Sequence, residues 1–170
     1  MSDPDKKYFG KYRGLVTNNI DPMQIGRIQV IVPDVGLTPT TWAMPCVPLA
    51  GKATGMYVIP QIASSVWVEF EHGDADYPIW VGGFWNTLAE VPAMALLAPP
   101  PTPPIIINTL AQNTIAISDV PLPPLVAGGI LLKSGLSAIM IGPDGVKIIA
   151  PKIEINGITI INNGALTVTL

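Results

Sequence analysis

Charge is what this sequence has least of. Asp, Glu, Lys and Arg make up only 12% of its 170 residues, against 49% apolar ones. A small soluble monomer usually covers itself with more charge than this, so part of the surface is expected to need a partner. Nine basic residues face twelve acidic ones, for a net charge of −3, which gives no surface built to neutralise phosphates.

Cysteine and histidine are nearly absent as well. Cys46 stands alone, which excludes an intramolecular disulfide and any all-cysteine metal site within one chain. Between Pro45 and Val47 it reads as a small buried apolar residue rather than a nucleophile. The only histidine, His72, sits in a Gly/Asp turn with no third partner for catalysis. Long uninterrupted apolar runs are missing too. The greasiest stretches carry Pro, Lys or Asn every few positions, so none reaches the roughly 20 residues that cross a bilayer as a helix. The start, Met-Ser-Asp-Pro-Asp-Lys-Lys, is charged and is followed by no apolar core. Synthesis in the cytoplasm without a signal peptide is the expectation.

What is plentiful is Ile, Val, Leu and Ala, interrupted by 19 Pro and 16 Gly. That mixture disfavours long helices and suits short strands joined by tight turns, an all-β chain. Residues 11–20 read as a strand entering a turn at Asp21-Pro22 and Gly26. Arg27 to Val32 alternates polar with apolar until Pro33 stops it. Further runs span Trp42–Leu49 and Met56–Pro60. In Ser65–Glu71, Val66, Val68 and Phe70 share one face, which is assigned to a core. The turn His72-Gly73-Asp74-Ala75-Asp76 leads to Tyr77–Asn86, whose paired glycines suggest a bulge where a closed sheet turns a corner. About five short strands in roughly 80 residues suit a small, partly closed barrel over 1–87.

From Leu88 the texture changes. Pro99–Pro104, apart from Thr102, is all proline, and Pro121-Leu122-Pro123-Pro124 follows, with one strand-like piece between them at Asn113–Ile117. Residues 88–128 are therefore expected to be a stiff extended connector, able to wrap along a neighbour.

Over 129–170 the alternation is sharpest. Ala138–Ile141, Val146–Ile149, Lys152–Asn156, Ile158–Ile160 and Ala165–Leu170 have period two, broken by Gly142-Pro143-Asp144-Gly145, Pro151, Gly157 and Asn162-Asn163-Gly164. Ile139, Ile141, Val146, Ile148, Ile153, Ile155, Ile158, Ile160, Leu166, Val168 and Leu170 then point to one side, as candidates for a shared core. A segment this short with one apolar stripe cannot close a core alone. Identical chains wound about a common axis would bury every stripe and remove exposed sheet edges. A single-chain parallel β-helix is disfavoured, because no repeat of about 20 residues is sustained over three rungs.

The barrel region resembles the family of phage baseplate assembly protein V and the VgrG spikes of type VI secretion. The residues that carry the likeness are Gly14–Pro22 with Ile25–Val30, Trp42-Ala43, Gly55–Pro60, and above all Val66–Gly82, with its strand, Gly-Asp turn and Pro-Ile strand. The likeness covers roughly residues 11–87, and the tail agrees in character more than in letters. It implies an OB-fold barrel followed by a C-terminal intertwined triple-stranded β-helix. That assembly is a homotrimeric needle seated by its barrel end on a baseplate hub protein and driven through a target envelope when a sheath contracts, with transient membrane contact. The resemblance also implies a place in a phage tail or secreted injection particle. The separate hub domains of VgrG proteins and the lysozyme domain of some spikes have no counterpart. The paired histidines that hold iron at some tips are absent, so no cofactor and no metal are expected. The tip is then bare or capped by a separate PAAR-type cone.

Two other readings weigh less. Many OB barrels stack bases on aromatics, and Trp42, Trp67, Trp80 and Trp85 are candidates. Aromatics at strand spacing are more often core or subunit contacts, and the scattered basic residues make no track, so no nucleic-acid partner is expected. Glu69, Glu71, Asp74 and Asp76 are the densest carboxylates, but they lack the further ligands of a calcium loop and read as a solvated strand and turn. No enzyme is expected. The remaining alternative is a static plug or adaptor that fills a hub and carries a separate tip or effector protein.

Overall fold

The computed structural model of the chain describes residues 6–156. They form two compact units that divide at Glu90 and Val91, and among the described residues all regular structure is β apart from short 3-10 turns.

The first unit is built from β1 (Tyr12–Asn18), β2 (Gln29–Ile31), β3 (Met44–Pro45), β4 (Ala50–Gly51), β5 (Thr54–Gly55), β6 (Ser65–Phe70) and β7 (Pro78–Phe84). Five of these make one sheet in the order β2-β1-β6-β7-β3, with β3 parallel to β7 and the rest antiparallel. The sheet closes on itself. Just before β2 and β3, Ile28 and Ala43 exchange backbone bonds: Ala43 N–H donates to Ile28 O at 2.7 Å and Ile28 N–H to Ala43 O at 3.2 Å. Closure leaves the inward alternate residues no route to water, and Val16, Ile28, Val30, Val32, Ala43, Val66 and Val68 are all essentially buried. Tyr12 meets Tyr8 and Phe70 edge to face and Tyr8 lies tilted against Phe70, with ring centres 5.6–6.0 Å apart, and together they close part of this core. The bend foreseen at the paired glycines is a β-bulge: Val68 opposes Trp80 while Trp67 opposes Gly82, leaving Val81 as the extra residue, and Gly82 has φ +147°. The expected strand at Met56–Pro60 is absent, and Trp42–Leu49 is a strand only at Met44–Pro45. Pro45 and Pro48 remove ladder donors from the first run, and Met56–Ile59 has no neighbouring strand to join.

The second unit is one antiparallel sheet of β8 (Ile105–Asn108), β9 (Thr114–Ser118), β10 (Gly129–Ser134), β11 (Ser137–Gly142) and β12 (Gly145–Ile149). Its strand order repeats the chain order, a meander. Two of its strands lie in the segment 88–128 that the prolines mark as a connector, so that segment supplies sheet and core as well as linkage. The prolines fall in the turns and loops around β8 and β9, where no ladder donor is needed. Leu122 and Leu125 exchange backbone bonds with each other and pack with Ala98, Ala116, Leu131 and Met140 against one face of the sheet. The hairpin foreseen at Gly142–Gly145 joins β11 to β12. Lys152–Asn156, expected as a strand, makes none within the chain, since Pro151 interrupts the ladder.

Candidate assembly interface

The second sheet has two unlike faces, and register decides which residue lies on which. Pairing puts Ile105 opposite Ile117, Ile117 opposite Ile130, Ile130 opposite Ile141 and Ile141 opposite Val146. A second row runs Ile107, Ile115, Leu132, Ile139, Ile148 in the same way. Strand side chains alternate between faces, so both rows project to one side, and each crosses all five strands without a polar interruption. On the opposite side the next row reads Ile106, Ala116, Leu131, Met140, Lys147. That row, Lys147 excepted, is the one covered by the Leu122–Leu125 cluster.

The two aliphatic rows are uncovered. Their ten side chains keep between 38% and 65% of their surface exposed in the single chain, whereas Ala116 and Leu131 on the other face keep none. An apolar surface of this extent marks an interaction site rather than ordinary solvent-facing sheet.

Of the residues proposed from the sequence, Ile139, Ile141, Val146 and Ile148 lie in these rows. Ile153 and Ile155 are exposed but stand outside the sheet. Ile158, Ile160, Leu166, Val168 and Leu170 lie outside the described residues. Ile105, Ile107, Ile115, Ile117, Ile130 and Leu132 were missed. For Ile115 and Ile117 the signal was there, since Thr114-Ile115-Ala116-Ile117-Ser118 alternates cleanly; for the rest, continuous runs such as Ile105-Ile106-Ile107 hide which phase is outward.

In the barrel, several charged side chains are engaged in ion pairs. Its most engaged ionic pair is Asp21 with Arg27. The Asp21 carboxylate accepts from Arg27 Nε at 3.0 Å and Nη2 at 2.7 Å, and from the backbone N–H groups of Met23, Ile25 and Arg27 at 3.0–3.2 Å. The Arg27 guanidinium above all holds the carboxyl far below its ordinary range; burial opposes it, and the three backbone amides add to the lowering. Every lone pair is thus committed to shaping the turn between β1 and β2. Glu69 pairs with Lys11, and Asp74 lies 4.0 Å from Lys7, both at exposed positions. Among the described residues no group of three His, Cys, Asp or Glu side chains is placed to hold a metal ion. Cys46, read as buried, is exposed: its backbone N–H still donates to Trp80 O at 2.9 Å at the edge of the sheet, while its side chain faces solvent.

Nor do the tryptophans offer a stacking platform. Trp80 is buried, with Nε1 donating to Gly26 O at 3.0 Å. Trp67 packs on Phe84 with ring centres 4.6 Å apart, and the Arg13 guanidinium covers both rings. Arg27 lies over Trp42, which leaves Trp85 as the exposed one.

Comparison with known proteins agrees with this division of the chain. Residues 12–85 match the family model of the type VI secretion system/phage-baseplate injector OB domain. Residues 104–167 match that of the phage baseplate V C-terminal trimerisation domain, which covers both uncovered rows. No curated protein matches the chain. No helix among the described residues is long and apolar enough to cross a membrane. Both matched families are structural baseplate domains rather than enzyme families. With the two models in sequence over most of its length, an OB barrel in front and a sheet bare on one apolar face behind, the chain belongs to the baseplate V-type family of structural proteins.

Proposed function

We propose that the chain forms a homotrimeric spike at the tip of a phage-tail baseplate, in which three copies of the second sheet turn their aliphatic rows inward onto a common axis. The observation that carries this is the pair of five-residue rows, continuous from β8 to β12 and exposed in the single chain. Fully burying ten such side chains from the unfolded state gains on the order of 15–30 kcal/mol gross per chain, and roughly half of that remains to be gained when the chain meets its partners. Three chains converging on one column exclude water from every row at once, which a flat dimer of twisted sheets does less completely.

The rows fix a direction. They run along the hydrogen-bonding direction of the sheet, so the strands lie across the spike and the column advances by about 4.8 Å per strand. In this arrangement backbone hydrogen bonds resist axial load, and the packed column resists shear between chains. Continuation of the same alternation through Ile153, Ile155, Ile158, Ile160, Leu166, Val168 and Leu170 would extend the column toward the tip as an intertwined triple-stranded β-helix. The barrel end seats on a baseplate hub protein, the distal end meets the target membrane when the tail contracts, and a PAAR-type cone is a fitting cap.

Gold-labelled antibody against an epitope at the C-terminus, applied to purified particles, tests the placement. Label at the distal end of the baseplate is expected. Label elsewhere on the particle overturns the spike; a distal end reached only after a second protein is stripped away turns the reading toward an adaptor that carries a tip.

A further inference from the structure

The barrel has an apolar groove that the described residues of its own unit leave open. Between β3 and the turn at Ile25-Gly26 on one side and the hairpin β4–β5 on the other lies a cleft of about 740 Å³. Its lining contains no charged residue. The hairpin is a two-stranded sheet that pairs with nothing but itself, held by Met56 N–H donating to Leu49 O at 2.9 Å. Gly55, at φ +147°, has no room for a side chain, since a Cβ there would stand 2.7 Å from Leu49 O. The ribbon is therefore shaped with care, yet Leu49, Met56, Tyr57 and Val58 on and beside it are all more than half exposed. An isolated two-stranded ribbon is marginal in water, and four large exposed apolar side chains flanking its base add the cost of wetting them.

From this we infer that the hairpin is an intersubunit arm: in the assembled spike the groove and the Leu49–Val58 ribbon are covered by the barrel of a neighbouring copy. The inference rests on the homotrimer proposed above, which supplies the reason for choosing that occupant. Each barrel is joined covalently, through the short step from Phe84 to the second unit at Val91, to a domain whose family model is a trimerisation domain. Three copies of the same barrel are then confined near one another at an effective concentration in the millimolar range, where an apolar contact too weak to form between free monomers is populated. A lining without charge, with Met44 and Met56 as adaptable side chains, suits the apolar surface of another barrel and offers nothing to orient a charged ligand.

The test places a photo-crosslinking amino acid at position 57 in the full-length chain and irradiates the purified trimer, with no other protein present. Covalent dimers and trimers on a denaturing gel are expected, in a yield that does not change on dilution, with the crosslinked peptide mapping within residues 6–90 of the neighbour. Adding Leu49→Asp and Val58→Asp to the same chain, both at exposed positions that the isolated barrel tolerates, should bring the yield to background while light scattering still reports a trimer. A trimer that gives only intrachain product overturns the inference while leaving the homotrimer standing, and assigns the groove to a different protein such as the hub. Yield that rises with concentration marks contact between separate particles and overturns it as well. Absence of any trimer by light scattering sinks the underlying assembly instead.

Discussion

The two units solve the problem of the sheet's second face in opposite ways. The first curls until its inward residues meet one another, and the Ile28–Ala43 bridge seals the ring, so Val16, Val30, Val66 and Val68 reach zero or near-zero exposure within one chain. The second stays an open meander. One of its faces finds a cover in Leu122 and Leu125, while the other presents two uninterrupted aliphatic rows with none of the described residues upon them. A closed barrel is thermodynamically self-sufficient, and an open two-faced sheet is not. The core of the first should therefore form within one chain, whereas the stability of the second should be inseparable from protein concentration.

The sharpest way to break the comparison is a charge in the middle of the aliphatic rows. Leu132 sits on the central strand β10, between Ile115 and Ile139. Leu132→Asp places an unpaired carboxylate where three copies are to converge, at a cost of several kcal/mol per site, which the trimer cannot absorb. Sedimentation should show the trimer gone and the barrel still folded; a trimer that persists with Asp at this position would remove the rows from the interface. A gentler change sharpens the same point. Leu132→Ala should cost the trimer about 2–5 kcal/mol per chain if the side chain is buried by partners, but within about 0.5 kcal/mol if it remains as exposed as in the single chain. Unfolding midpoints measured over a hundredfold range of concentration separate these outcomes.

In the barrel the corresponding test is Ile28→Ala. Ile28 is fully buried and lies at the closing bridge, so a loss of about 2–5 kcal/mol is expected there too. The difference lies in the concentration dependence. This loss, taken as the difference from the parent, should be the same at every concentration, with the oligomer intact. A difference that tracks concentration would show that the barrel depends on its neighbours for its core as well.

How much of this was legible in the residues follows the same divide. The barrel was readable because its strands alternate: Val66, Val68 and Phe70 announced one buried face, and Gly82-Gly83 announced the bulge. The open sheet was only half readable. Ile139, Ile141, Val146 and Ile148 alternate with small, flexible or polar residues and so disclosed their phase. Ile105-Ile106-Ile107 and Ile130-Leu131-Leu132 do not, because a sheet with one face buried within the chain and, in the proposed trimer, the other against partners needs no polar residue in either phase. The flanking prolines then suggested a connector where β8 and β9 in fact open the sheet. The groove was hidden for a related reason: Met56–Ile59 has the composition of a strand, and only three-dimensional context shows that it has no sheet to join.

The smallest expected effect comes from acid, and it too should separate the two units. Asp21 is held well below its ordinary value of 3.8 by Arg27 and three backbone amides, so its bonds stabilise the barrel in full above that value. As pH falls below it the unfolded chain takes up a proton that the folded barrel still refuses, and the contribution shrinks progressively, vanishing only when the folded carboxyl itself is protonated. Asp21→Asn removes the charge at every pH. The gap in barrel stability between the parent and Asp21→Asn should therefore be constant from pH 7 to about pH 4 and narrow steadily below. The sheet has no equivalent: Asp144 is also lowered, by Lys147 above all, but both side chains are more than half exposed, and solvent screens the pair. Chemical unfolding of the parent, Asp21→Asn and Lys147→Ala at pH 7, 4 and 2.5 provides the measurement. A gap for Asp21→Asn that fails to narrow in acid would mean that the turn between β1 and β2 is held by its backbone geometry rather than by the carboxylate, and that the barrel's independence of its surroundings extends to pH.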